Sequence, residues 1–144
     1  MTDKRKAVVT LTRQGLNLGL KIKDVFAEVD LYIPQKFRNK KKKKRREQIF
    51  YYDFSLSDLT SSLFNEYQNI IYIMSLGIVV RIIAPYLQNK KVDPAVITMD
   101  ETGQNVISTL SGHLGGANEL TEIIAEEMGI NPVITTATDC QGKM

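Results

Sequence analysis

The sequence predicts an α/β domain of three layers, with a largely parallel central sheet, helices on both faces and a hairpin addition. Three observations carry this. Short β-branched runs alternate with longer amphipathic stretches through the first part of the chain. Asn69-Ile-Ile-Tyr-Ile-Met74 is a nearly continuous apolar strand, suited to the middle of a sheet covered on both faces. Residues 93–99 and 105–110 are two strand-like runs flanking a polar turn, Asp100-Glu-Thr-Gly103, which predicts a hairpin. Strands alternating with helices imply parallel pairing and right-handed crossovers, the arrangement of a Rossmann-like domain.

Taken in order, residues 6–12 are too short and too β-branched for a helix and form the first strand. Thr12 is placed to cap a helix to about Phe26, with Leu16, Leu20, Ile22, Val25 and Phe26 as its apolar stripe. Residues 28–34 form a second strand, stopped by Pro34. The run Arg38-Asn-Lys-Lys-Lys-Lys-Lys-Arg-Arg46 follows, and its mutual repulsion predicts a mobile basic loop, with a short strand at Phe50-Tyr-Tyr52 after it. Ser55 with Asp58 resembles a capping box ahead of a helix whose Leu56, Leu59, Leu63 and Tyr67 share a face. The central strand 69–74 then turns through Ser75-Leu-Gly77 into residues 78–87, a segment apolar on nearly all sides if helical. Within it Arg81 must find water, a carboxylate or a ligand, and Pro85 leaves the carbonyl of Arg81 without its helical donor. After the hairpin, Ala117, Leu120, Ile123, Ile124 and Met128 mark a helix closed by Gly129, and residues 132–136 begin a further strand.

The 144 residues, 43% hydrophobic, suffice for one domain with a core and not for two. One cysteine, Cys140, excludes an internal disulfide, and with one histidine it leaves too few soft ligands for structural zinc. The amino terminus lacks the apolar region of a signal peptide and no apolar run is long enough for a membrane span, so a cytoplasmic protein without a membrane partner is expected. The net charge of +3 hides an asymmetry: residues 38–46 hold 8 of the 19 Lys and Arg, leaving a mildly acidic body with 16 Asp and Glu. Basic residues beside Phe50, Tyr51 and Tyr52 would suit single-stranded nucleic acid. The alternative, a solvated insertion beside a short strand, is the expected one, because nothing else in the chain repeats the pattern.

The chemistry-bearing stretch is Ser108-Thr-Leu-Ser-Gly-His-Leu-Gly-Gly-Ala-Asn-Glu119, a strand-to-helix turn with three glycines, Gly112, Gly115 and Gly116, around the sole histidine, His113. Backbone N–H groups at the start of a helix have no partner within it and favour anions or a developing oxyanion. Two uses remain open: glycines that only make the turn beside a solvated histidine, or a reaction centre with Ser111, Asn118 and Glu119 at hand. The turn lacks the Gly-Lys-Ser/Thr ending of a phosphate loop and the G-x-G-x-x-G of a dinucleotide fingerprint.

Three blocks together resemble one family. These are residues 73–87, Ile-Met-Ser-Leu-Gly-Ile-Val-Val-Arg-Ile-Ile-Ala-Pro-Tyr-Leu; residues 91–96 with Asp100-Glu-Thr-Gly103; and residues 107–120, leading to Pro132-Val-Ile-Thr-Thr-Ala-Thr-Asp139. They are similar to the N-terminal part of cobalt-precorrin-5A hydrolase, the CbiG family of anaerobic cobalamin (vitamin B12) biosynthesis. The resemblance implies a hydrolase that opens the δ-lactone of cobalt-precorrin-5A and releases acetaldehyde, leaving cobalt-precorrin-5B. It implies no cofactor or protein-bound metal, because the cobalt arrives within the tetrapyrrole substrate. It also implies roles. His113 is the expected base or acid, with Glu119 and Asn118 orienting it or a water. Backbone N–H groups at Gly115 and Gly116 are the expected oxyanion donors, and Arg81 would grip a carboxylate on the macrocycle rim. Gly77, Ser111 and Gly112 complete the expected substrate-binding set.

Family members are longer, so residues 1–136 are expected to form the N-terminal domain, and 137–144 the start of a linker to a C-terminal domain that a separate chain could supply. The continuation Asp139-Cys-Gln-Gly142 departs from the family's Asp-x-Asn-Gly-like pattern. A non-catalytic tetrapyrrole-binding or interaction module is the rival reading, and homodimerisation stays open.

Overall fold

The computed structural model describes residues 5–38, 48–111 and 116–136. Seven strands form one sheet in the order β3-β2-β1-β4-β5-β6-β7. They are β1 (Lys6–Thr10), β2 (Val29–Pro34), β3 (Ile49–Tyr52), β4 (Asn69–Ile73), β5 (Ala95–Met99), β6 (Asn105–Leu110) and β7 (Asn131–Val133). Strands β1 to β5 are mutually parallel; β6 runs antiparallel to β5, and β7 pairs parallel to β6. The predicted α/β architecture, largely parallel sheet and hairpin are all present. The hairpin turns β6 and β7 against the direction of the other five strands.

Helices α1 (Arg13–Val25) and α4 (Ala117–Met128) cover one face, and α2 (Leu56–Glu66) and α3 (Leu76–Ile83) the other. Helix starts follow local chemistry. Thr12 Oγ1 accepts from Gly15 N at 3.1 Å, and Ser55 Oγ accepts from Asp58 N at 3.1 Å, so each satisfies a backbone donor of the first turn.

Several packing details differ from the sequence-based expectation. Helix α1 buries Gly15, Gly19 and Ile22 rather than the leucines of the predicted stripe, which are only partly buried. A Cβ at Gly19 would lie 2.6 Å from Leu31 Cδ1, so a side chain there would force the fully buried Leu31 methyl to shift. In α4 the buried face is Ala117, Leu120, Thr121, Ile124 and Ala125, shifted away from Ile123 and Met128. Helix α3 begins at Leu76, earlier than expected, and ends at Ile83; Ala84–Tyr86 continue as one 3-10 turn. Pro85 thus terminates the α-helix instead of kinking a longer one.

The two cores differ in polarity. On the α2–α3 face, tyrosines carry hydroxyls into the apolar layer and each finds a partner: Tyr52 donates to the carbonyl of Thr10 at 2.6 Å, and Tyr72 pairs with Thr60 at 2.8 Å. Asp30, 4% exposed, accepts from Tyr67 Oη at 2.6 Å and from Arg5 at 2.7 Å, so its buried charge is doubly compensated. The basic run beyond Arg38 lies outside the described residues. Of its neighbours, Arg38 rests over the Tyr51 ring at 5.6 Å, and Arg13 and Lys36 each lie 5.1 Å from the Phe37 ring.

Candidate functional site

Because β6 is antiparallel, the chain leaves it at the edge of the sheet where the parallel strands begin. There Ser111 adopts φ 58 and Gly116 φ 90, both left-handed. Gly116 is the N-cap of α4; its φ requires glycine, although a Cβ would meet nothing within 4 Å. Ala117 N donates to the carbonyl of Ser111 at 3.3 Å and closes the turn. Gly112, His113 and Gly115 lie outside the described residues.

Asn118, in the first turn of α4, is gripped from both strands below. Its Oδ1 accepts from Ser108 Oγ at 2.6 Å and its Nδ2 donates to Thr136 Oγ1 at 2.7 Å. Ser108 lies on β6 and Thr136 just beyond β7, so one amide ties the helix start to two strand ends. Ser111 Oγ donates to the carbonyl of Asp93 at 3.2 Å. Asp93 also accepts from Gln88 N through both carboxylate oxygens, at 3.0 and 3.2 Å, and lines an open cleft of about 450 Å³ with Ser61, Phe64, Pro85, Tyr86 and Val92. Glu119 is exposed in the first turn of α4, where the positive end of the helix favours a carboxylate.

Ser111, Gly116, Asn118 and Glu119 are therefore brought together around the glycine turn. Arg81 and Gly77 are not: both are exposed on α3, on the opposite face of the sheet from α4. Arg81 reaches solvent, and the ion pairs among the described residues are those of Arg5 with Glu28 and Asp30.

Asp100 and Glu101 sit apart from Ser111, Asn118 and Glu119, because the hairpin turn is at the other end of β6, roughly 17 Å of strand away. Asp100 instead holds its own turn, accepting from Thr102 Oγ1, from Asn105 N at 2.5 Å and from Gln104 N at 3.2 Å. Desolvation pushes its carboxyl upward, but these hydrogen bonds outweigh it and leave the carboxyl below its usual range. Ser108 and Thr136 were not among the predicted site residues. Their signal, two hydroxyls at the carboxyl ends of strands flanking a helix, exists in the sequence but points nowhere until β7 is known to lie beside β6.

The family described as cobalamin synthesis G N-terminal matches residues 58–139, more than half of the chain and the whole of the Asn118 cluster. The chain belongs to this family. A cobalt-precorrin-5A hydrolase of Priestia megaterium is 46% identical over 135 residues, which cover 94% of this chain and 36% of that relative. A protein of the same name from Salmonella typhimurium is 49% identical over 88 residues, 61% of this chain and 25% of its own length. A solved cobalamin biosynthesis protein G homolog from Sulfolobus solfataricus superposes with a TM-score of 0.67 at 20% identity, covering 93% of this chain and 38% of that one, and so shares the fold. The chain spans about a third or less of the length of these relatives. Among the described residues no helix of this family domain is long and apolar enough to cross a membrane, and no group of three or more His, Cys, Asp and Glu is placed to hold a metal ion.

Proposed function

We propose that the chain is the N-terminal domain of a cobalt-precorrin-5A hydrolase, acting in the cytoplasm on a cobalt-containing tetrapyrrole by opening its δ-lactone and releasing acetaldehyde. The cobalt enters as part of the substrate, and no resident cofactor is assigned. The observation that carries the reading is Asn118 held at both ends by Ser108 and Thr136, inside the block matched by the family. An amide fixed in this way holds the start of α4, and with it Gly116 and Glu119, at a set position over the strand ends. Preorganised donors and a positioned carboxylate are what attack on a lactone carbonyl needs: donors for the oxyanion, and a group that orients water.

In this scheme His113 moves the proton, with Glu119 and Asn118 orienting it or the attacking water. Backbone N–H groups of Gly115 and Gly116 hold the oxyanion, and Ser111 and Gly112 line the approach. Arg81 and Gly77, on the other face, are assigned to the macrocycle periphery, where a guanidinium grips a carboxylate. The chain's share of its relatives' length supports a second reading, in which this domain binds the tetrapyrrole and a C-terminal domain completes the chemistry.

Anaerobic incubation with cobalt-precorrin-5A tests both. Acetaldehyde release by the chain alone, abolished by His113→Ala, supports the first. Tetrapyrrole binding with release only after addition of the C-terminal region supports the second. Folded protein that neither binds nor turns over the tetrapyrrole under either condition removes both.

A further inference from the structure

Helix α3 and the hairpin half of the sheet leave a ledge that the described residues do not cover. Its wall is the outward flank of α3. Val79 and Ile83 point into the core and Ile78 and Ile82 pack beside them, yet Leu76 is 41% and Val80 50% exposed, with Ala84 exposed one turn on. A helix with an apolar outer flank is ordinarily covered. Its floor is the underside of β6 and β7. Val106 and Ser108 of β6 face α4, so the pleat turns Ile107 and Thr109 to the other face, where Val133 is the register partner of Ile107. Helix α4 packs on β5, β6 and β7 from one side, whereas on the other side α2 and α3 pack on each other and α3 reaches β5. With α2 on one side of α3, helical periodicity carries Leu76 and Val80 toward β6, so wall and floor meet at an angle.

We propose that this ledge is the docking surface for the C-terminal region that follows this domain in its longer relatives. The length and exit of the chain select that occupant. The Priestia megaterium relative matches 94% of this chain with only 36% of itself, so most of its polypeptide lies outside the shared domain. The described chain leaves along the edge strand β7, whose Val133 belongs to the floor, and beyond it Thr136 is tied to Asn118 at the start of α4. The inference rests on reading the chain as an N-terminal domain, but its test reads coverage and not turnover.

In a Cys140→Ser background, a thiol placed at Val80 is labelled with a maleimide and compared with one at Glu122, exposed on α4 of the opposite face. The same two positions, by alignment, are then labelled in the full-length Priestia megaterium protein without substrate. In the short chain the two thiols react alike. In the long relative the Val80 position reacts at least about 10-fold more slowly than the Glu122 position, because labelling waits for the contact to open. Equal rates in the long protein overturn the proposal, as does protection that appears only when the tetrapyrrole is added. A dimer of the short chain that Val80→Glu converts to monomer assigns the ledge to a second copy and overturns it too. Protection without acetaldehyde release would leave the docking surface standing while the catalytic reading failed.

Discussion

Ser108 Oγ donates to Asn118 Oδ1 across 2.6 Å, and the other end of the same amide donates to Thr136. A residue in the first turn of a helix thereby joins two strands that are neighbours only because α4 returns the chain beside β6. Asn118→Leu keeps the approximate volume and removes both hydrogen bonds. Urea denaturation is expected to show a loss of about 1–3 kcal/mol. On the proposed function, turnover with the C-terminal region present is expected to fall by more than the lost stability explains, because Asn118 holds the start of α4. Equal turnover with lower stability would reduce Asn118 to a structural tie.

Gly19 and Gly77 are expected to respond to alanine with opposite signs. At Gly19 the new methyl meets Leu31 Cδ1 at 2.6 Å and Thr10 Cγ2 at 3.2 Å in a packed layer, and overpacking of about 1–3 kcal/mol exceeds the roughly 1 kcal/mol gained in helix propensity. At Gly77 nothing lies within 4 Å, so alanine is expected to stabilise by up to about 1 kcal/mol. Thermal melting of the two variants checks the pair. A Gly77→Ala protein that is more stable yet binds the tetrapyrrole less well would support close approach of ligand at that position.

Removing the Asp30 carboxylate leaves Arg5 and Tyr67 facing a vacancy at a 4%-exposed position. Asp30→Ala is expected to cost about 1.5–3 kcal/mol by denaturant titration, the range for charge-assisted hydrogen bonds. Tyr67→Phe is expected to cost less, since Arg5 still compensates the charge.

Burial pushes the Tyr52 phenol up to about 12, against about 10 in an unfolded chain. The fold holds this proton more tightly than the unfolded chain does, so its contribution is whole below about pH 10 and is lost as pH rises toward about 12. Stability measured across that window is expected to fall, and to fall less steeply in Tyr52→Phe. An unchanged slope in the variant would show that Tyr52 does not titrate with unfolding.

Much of the fold was legible because its signals are local. Thr12 and Ser55 cap helices through donors three residues away, β-branched runs form strands, and Asp100-Glu-Thr-Gly103 turns a hairpin whatever surrounds it. The candidate site was legible only as a stretch. Ser111, Gly116, Asn118 and Glu119 are close in space because they are close in sequence. Arg81 and Gly77 were grouped with them by resemblance, and the fold sets them on the opposite face.

What the sequence determined by itself, then, is which segments become helices and strands, and which turn carries glycine, serine and histidine together; backbone propensity and capping decide these within a few residues. Tertiary structure alone decided that α1 meets the sheet through Gly15 and Gly19. It also decided that antiparallel β6 delivers the glycine turn to the far edge from Asp100, and that Thr136 reaches Asn118. Each of these depends on contacts between residues distant in the chain, whose closeness follows from strand order and packing and leaves no periodicity to read.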